Sequence, residues 1–471
     1  MLAAMRTTVL LLLLIGCGTD IPSTDAGPPD AGPADAGTPW PHARAPLGAE
    51  TRREFQLARG IVHLHSPLSH DACDGRGWAD GALADAACLA HLRDAACRLS
   101  MDVLFLTDHA PNVDTVSFEA ALWMADGDEA IRNEDGATVA ARWACPGTAH
   151  RVLVTVGSEN RMMPVALERH PDVGAGTLEE AYDADGPDAA AAFRAAGALI
   201  FYAHTESKTL EQIRASRPDG IEIYNTHANV APNIRQESLG LDAAGFAGTL
   251  LRFSQTGSRL EPDLSILTFL SPNRPSLRTW DTLLAEGMRL TGTGGCDAHE
   301  NTFTQLMPDG ERGDSFRRMM VWHAQHFLVA GTDRADYVEA LARGRTYVAF
   351  EVFGTPMGFD FHADLGGEIA EMGGETAVGA VLRVTRPGLP AGFPSDPPPA
   401  LSLHLLRAAE GGAVEVASGA GPTLEHVATL PGAYRVEVRM VPEHARPYLG
   451  RFADELVREV VWVYSNPIHV L

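Results

Sequence analysis

The sequence predicts an α/β protein: a barrel of strands and helices over residues 51–345, followed by a C-terminal β-sandwich over residues 346–471. Three observations predict it. Short apolar runs alternate with Ala-rich helical stretches, the pattern of a parallel sheet closed by crossover helices. The alternation stops at Gly344-Arg345, after which strand-like runs are separated by Gly/Pro turns with almost no helix between them. Histidines and acids recur where the apolar runs of the first region end, the edge at which βα barrels build their sites.

At the N-terminus, Arg6 precedes the apolar run Val9–Ile15, too short to span a bilayer and suited to a signal-peptide core over residues 1–16. The run closes in Leu14-Ile15-Gly16-Cys17, which resembles the lipobox of bacterial lipoproteins. That resemblance implies lipidation of Cys17 and an exported protein anchored to a membrane of the cell envelope. Residues 17–50 repeat Asp25-Ala26-Gly27-Pro28, Asp30-Ala31-Gly32-Pro33 and Asp35-Ala36-Gly37, a composition that buries no core and reads as a tether. Five cysteines remain: Cys73, Cys88, Cys97, Cys145 and Cys296. An oxidising exterior permits disulfides, the odd count leaves one thiol over, and the pairing stays open. Cys296 adjoins a candidate metal ligand and is expected to stay free.

The expected barrel strands are Ile61–Leu64, Val103–Thr107, Val152–Val156, Leu199–Tyr202, Ile221–Tyr224 and Leu290–Thr293. Helices are expected over Ala82–Leu99, Leu178–Ala196 and Leu277–Gly287. Beyond residue 345 the expected strands are Thr346–Phe353, Met357–His362, Leu401–Leu406, Tyr434–Val438 and Val460–Tyr464, with Pro387–Pro399 a loop.

The candidate ligands follow the barrel strands in order. His63 and His65 stand two apart, so on a strand both imidazoles face one side. His70 and Asp71 follow in the loop. Asp108-His109 closes the second run, Glu159 follows the third, His204 the fourth and His227 the fifth; Asp297 and His299 follow the Gly-rich Thr291–Gly295. Seven histidines, Glu159 and Asp297 exceed what one ion takes, since zinc usually holds four ligands. The set therefore predicts two or three divalent ions with a bridging carboxylate. Imidazole with carboxylate suits Zn, Mn or Fe.

These residues also resemble the motifs of the polymerase and histidinol phosphatase (PHP) superfamily: Gly60-Ile61-Val62-His63-Leu64-His65-Ser66, Leu106-Thr107-Asp108-His109, Gly157-Ser158-Glu159, Ala203-His204 and Gly295-Cys296-Asp297-Ala298-His299. Tyr347–Phe353 and Ser465-Asn466-Pro467-Ile468 resemble the carbaryl-hydrolase-like (CehA/McbA) branch. The resemblance implies a distorted (β/α)7 barrel and a two- or three-metal site. It assigns His63, His65, Glu159 and Asp297 to a first ion, with Glu159 bridging to a second held by His204 and His227. It assigns His70, His109 and His299 to a third. The family often carries Asp where His70 stands; His70 is placed in the ligand set, with Asp71 as the alternative. Asp108 is expected to orient a ligating histidine.

Such a site predicts a hydrolase: the ions acidify a water and polarise the oxygen under attack. Phosphoesters fit, and so do esters, carbamates or amides. Arg161, Lys208 and Arg317-Arg318 are candidate phosphate contacts, and Trp78, Trp123 and Trp322 candidates for the pocket mouth, each with surface or core packing as the alternative. A non-catalytic metal-binding or adhesion lipoprotein is the alternative reading of the whole chain. The net charge of −24 excludes a nucleic-acid partner held through its phosphates. The expected partners are a small-molecule substrate and the membrane that receives the lipid.

Overall fold

The computed structural model describes residues 38–48 and 50–471. Cys17, the expected signal peptide and the repeats of the tether lie outside the described residues. No helix among the described residues is long and apolar enough to cross a membrane.

The first region is built from two arcs of strands. In one, Phe55–Leu64 runs parallel to Val103–Leu106, which runs parallel to Arg151–Val156. In the other, Leu199–Tyr202, Gly220–Asn225 and Thr291–Gly295 run parallel, with the short Met163–Val165 strand antiparallel at the edge. Single bridges, Val156–Leu167 and Leu64–Ala298, join the arcs at both ends. Val103–Leu106 is buried at every position, as a parallel strand covered on both faces must be. The six parallel strands therefore end on one side, where the candidate ligands stand.

The Phe55–Leu64 strand starts six residues before the apolar run that announces it. Arg59 hides the earlier part. Its fully buried guanidinium pairs with Glu351 at 2.8 Å, and His326 Nε2 lies 2.7 Å from the same carboxylate. The helix expected over residues 178–196 divides into Leu178–Tyr182 and Pro187–Ala195. Thr177 and Glu180 form a capping box on the first piece. Gly186 ahead of Pro187 at the first helical position starts the second.

The strand expected over Thr346–Phe353 ends at Ala349, and that expected over Met357–His362 is shifted to Asp360–Leu365. The main sheet does not stop at residue 345. Ala324–Val329 pairs antiparallel with Phe55–Leu64 and with Thr346–Ala349, which pairs with Val460–Ser465. Gly432–Val441, Ala400–Ala409 and Gly412–Gly419 carry the same sheet onward. A second antiparallel sheet comprises Glu368–Glu371, Asp360–Leu365, Val381–Thr385 and Thr423–Val427. One apolar cluster runs from Leu57 and Leu104 to Leu403 and Trp462, so both regions share a core.

The last part of the expected tether belongs to the folded body. Trp40 is buried against Phe393, His444 and Tyr448, and Arg44 donates to the Glu351 carbonyl at 2.7 Å. Polar composition alone misses this because one aromatic and one guanidinium find partners hundreds of residues away. Two disulfides, Cys73–Cys88 and Cys97–Cys145, tie the Ala86–Arg98 helix to the loops around it. Cys296 is buried and free.

Candidate metal centre

The strand ends bring eight side chains to one spot. His63 Nε2 lies 3.0 Å from His65 Nε2 and 3.1 Å from Glu159 Oε2. His65 Nε2 lies 3.4 Å from Glu159 Oε2, and both rings lie 3.4 Å from Asp297 Oδ1. Ligand atoms about 2.0–2.1 Å from one tetrahedral ion stand roughly 3.3 Å apart. The observed separations, 3.0 to 3.4 Å, fit that geometry. Soft-to-borderline imidazoles with two carboxylates are also the donor set such an ion prefers.

Two lobes flank this group and share its carboxylates. On one side His109 Nε2 lies 3.4 Å from Glu159 Oε2, and His299 Nε2 lies 3.3 Å from Asp297 Oδ1. Asp71 Oδ2 completes that lobe, 3.4 Å from His299 and 3.7 Å from His109. On the other side His204 Nε2 lies 3.2 Å from Glu159 Oε1 and 3.3 Å from Asp297 Oδ2. His227 stands further out, with Nδ1 3.7 Å from Asp297 Oδ2 and its side chain 47% exposed. Among the described residues, two four-residue groups could each hold an ion: His63, His65, Glu159 and Asp297, and His65, Asp71, His109 and His299.

The acid at this loop is therefore Asp71, where the sequence reading placed His70. Ser69 Oγ donates to Asp71 Oδ1 at 2.7 Å and turns the carboxylate inward. His70 is exposed, its ring 5.2 Å from the His109 ring. Asp108 also differs from expectation: it reaches no imidazole. It accepts from the Ser66 backbone N–H at 2.6 Å and the Ser66 hydroxyl at 2.7 Å, fixing the chain just after His65.

The rings are aimed from behind. His63 Nδ1 lies 2.6 Å from Glu222 Oε1, His204 Nδ1 lies 3.3 Å from Glu206 Oε1, and His109 Nδ1 meets the Glu159 carbonyl. Each leaves Nε2 for the centre, the arrangement that holds a ligating histidine in one tautomer. Sequence reasoning misses Glu222. It is buried in Gly220–Asn225, and its second oxygen accepts from the His204 N–H and from Asn225 Nδ2, both at 2.9 Å. A lone acid inside the apolar run Ile221-Glu222-Ile223 is the signal that marks it. Gly295 is required opposite: a Cβ there would lie 2.2 Å from Glu222 Oε1. His204 and Asp297 both sit in the left-handed region, at φ 50° and 55°, strain that the surrounding contacts must hold.

The electrostatics call for added positive charge. Burial pulls His63 down, yet Glu159, Asp297 and Glu222 carry it well above its ordinary value. Burial opposes the protonated form of His65 too, but bonds to Asp297 and Glu159 raise it to about 9. His204 is raised in the same way by Asp297 and Glu159. Against the cost of burial, the His63 charge holds both Glu159 and Asp297 well below the usual carboxylate range. His299 goes the other way, to about 3, pushed down by burial and by neighbouring His65. Without metal, protons on the histidines balance the carboxylates.

The other candidates divide. Arg317 and Arg318 are not phosphate contacts: both are buried and bind Asp263 at 2.7 Å. Arg161 is exposed beside Asp183 at 3.3 Å, and Lys208 Nζ donates to the Arg161 carbonyl at 3.1 Å. Trp123 Nε1 donates to Ser66 Oγ at 2.7 Å and packs edge-on to Trp78, so these two flank the loop after His65. Trp322 is core, bonded to the Asp263 carbonyl.

No protein-family model matches the chain, and no curated protein matches it. Among solved structures, it is similar to a two-domain protein from Bacteroides vulgatus ATCC 8482 containing a predicted PHP-like metal-dependent phosphoesterase. The identity is 14% and the TM-score 0.37, over 89% of this chain and 98% of that one. It is also similar to the lesion-specific endonuclease PfuEndoQ from Pyrococcus furiosus, at 10% identity and TM-score 0.32, over 65% of this chain and 62% of that one. Both likenesses are distant, and the site itself carries the functional argument.

Proposed function

We propose that the chain is a PHP-superfamily hydrolase with a distorted seven-strand barrel, using two or three Zn, Mn or Fe ions at the mouth of its parallel strands. The observation that carries this reading is the sharing of Glu159 and Asp297 between lobes: each carboxylate offers one oxygen to the His63–His65 group and its other oxygen to His204. A purely structural site closes four ligands around one ion and has no use for such sharing. When bound, the ions acidify water and polarise the oxygen under attack. His63 and His65 are buried, whereas His109, His204 and His227 are 20%, 22% and 47% exposed, so substrate meets the centre on their side. Glu222 and Glu206 keep the Nδ1 protons of His63 and His204 engaged, so that neither ring turns its N–H towards substrate.

Phosphoester hydrolysis is the first reading of the reaction, because Arg161 and Lys208 place cationic side chains beside ligands Glu159 and His204 along the chain. Ester, carbamate or amide hydrolysis is the second, favoured by the half-buried Trp78–Trp123 pair, an apolar wall beside the His65 loop. The test is metal analysis of fragment 38–471, which retains Trp40 and Arg44, with a phosphate monoester and an aryl carbamate as paired substrates. Two or three metal equivalents with turnover supports the proposal, and the substrate consumed selects the reaction. A metal-free, inactive fragment after metal is added back overturns it.

We also propose export and lipid anchoring through Cys17, with two disulfides that suit an oxidising compartment as support. A Cys17→Ser variant is expected to leave the membrane fraction; its retention there rejects the anchor.

A further inference from the structure

Six arginines among the described residues are buried: Arg44, Arg59, Arg235, Arg317, Arg318 and Arg435. Five face a carboxylate. Arg44 and Arg59 share Glu351, Arg317 and Arg318 share Asp263, and Arg435 meets Asp281. Arg235 is the exception. Its guanidinium donates to the backbone carbonyls of Asp242 at 3.0 Å, Phe269 at 3.4 Å and Asn229, and lies 4.6 Å from the Phe246 ring. Carbonyls and a ring face satisfy its N–H groups, and the Asp242 carboxylate attracts the charge only from beyond ion-pair distance. A chain with 61 acids and 37 lysines and arginines does not lack carboxylates to place there.

Arg235 lines a cleft of 270 Å³ between the barrel wall and the C-terminal β region. Arg458, an exposed residue, lines it from the C-terminal side, donating to the carbonyls of Leu267 at 3.0 Å and Leu270 at 2.8 Å; it forms no ion pair among the described residues, although the Glu455 carboxylate attracts it from further off. The one acid on the lining, Glu459, lies 3.9 Å from Arg439. Phe269, Phe350 and Tyr464 supply apolar walls. Two guanidiniums outside any ion pair, on a cleft of this size with mixed polar and apolar lining, match a compact anion, because guanidinium binds planar or tetrahedral oxyanions through paired N–H groups.

We propose that this cleft binds a small organic oxyanion, a carboxylate or phosphate group on a compact apolar body, with Arg235 and Arg458 as its counter-charges. The metal centre is a separate place for anions, so the test must distinguish the two. Calorimetric titration of the full, metal-loaded chain uses benzoate and inorganic phosphate as probes. At least one probe is expected to saturate, to bind Arg458→Gln at least about tenfold more weakly, the loss of a charge-assisted contact, and to bind His63→Ala unchanged. Arg235→Lys, which keeps the charge and loses the fork, is expected to weaken it as well. Preference between the probes then identifies the anion. No saturable binding, equal affinity in Arg458→Gln, or binding that vanishes in His63→Ala overturns the proposal.

Discussion

Two clusters of histidine and carboxylate could each hold a metal ion, and they differ in where their cation comes from. In the cluster of His42, Glu261 and Asp263, both oxygens of Asp263 are held at 2.7 Å by Arg317, and Arg318 adds a third contact. Despite burial, Arg317 and Arg318 keep Asp263 well below the usual carboxylate range. The counter-charge is already covalently part of the chain. Around Glu159 and Asp297 no arginine or lysine forms an ion pair among the described residues; the carboxylates face imidazoles, and Asn225 Nδ2 donates to Asp297 Oδ2 at 3.4 Å. Their positive charge has to come from solution, as protons or as metal. A buried guanidinium paired with a carboxylate marks a structural joint, and its absence beside clustered acids marks a site left open to an ion.

The largest effect should come from the open cluster. His63→Ala is expected to lower turnover by orders of magnitude and to cut metal content, read by elemental analysis and a kinetic assay; full activity in that variant breaks the comparison at its root. The closed cluster should respond in stability instead. Asp263→Asn leaves Arg317 and Arg318 under-compensated and is expected to cost roughly 3–5 kcal/mol in denaturant unfolding. Metal content should stay unchanged, and a fall in it would show that the two clusters are not different in kind. Glu222→Gln sharpens the contrast from outside the ligand set. Weakening the carboxylate behind His63 is expected to reduce metal affinity about 10- to 100-fold. Glu222→Asp, which keeps the charge but shortens its reach, separates distance from charge in the same assay; unaltered affinity in both variants would leave Glu222 as packing alone.

Acidity gives the smallest effect per step. His63, His65 and His204 are raised in the metal-free chain, so below about 9 the His65 ring holds a proton that an incoming ion must displace. Metal affinity should therefore rise with pH, by about tenfold per unit for each proton released, and its His65 component should level off above about 9. A competition titration that is flat through neutral and mildly alkaline pH would contradict the sign.

Much of the open cluster was legible because most of its candidate ligands stand at strand ends or within three residues past them. His63 and His65 share a face by strand periodicity, Glu159 and His204 follow apolar runs, and Asp297 follows the Gly-rich Thr291–Gly295. Asp71 was harder: it lies in a loop, where no periodicity decides between neighbours, and a Ser69 hydroxyl turns it inward. Glu222 was hidden because an acid in a buried strand reads as an interruption until its partners, His63 and the His204 backbone, are seen. The same reason concealed Arg59, whose partner Glu351 is distant in the chain.

By itself the sequence determined the alternation of strands and helices, the mostly β texture past residue 345 and the roll of candidate ligands, because periodicity and composition are local properties. Tertiary structure alone decided that Asp71 faces the centre in place of His70, that Trp40 and Arg44 belong to the folded body, and that the main sheet crosses residue 345 without a break. It also decided which acids are already neutralised by arginine. Those outcomes depend on which charges and edges meet in space, and each pairs residues too far apart along the chain for any local pattern to connect.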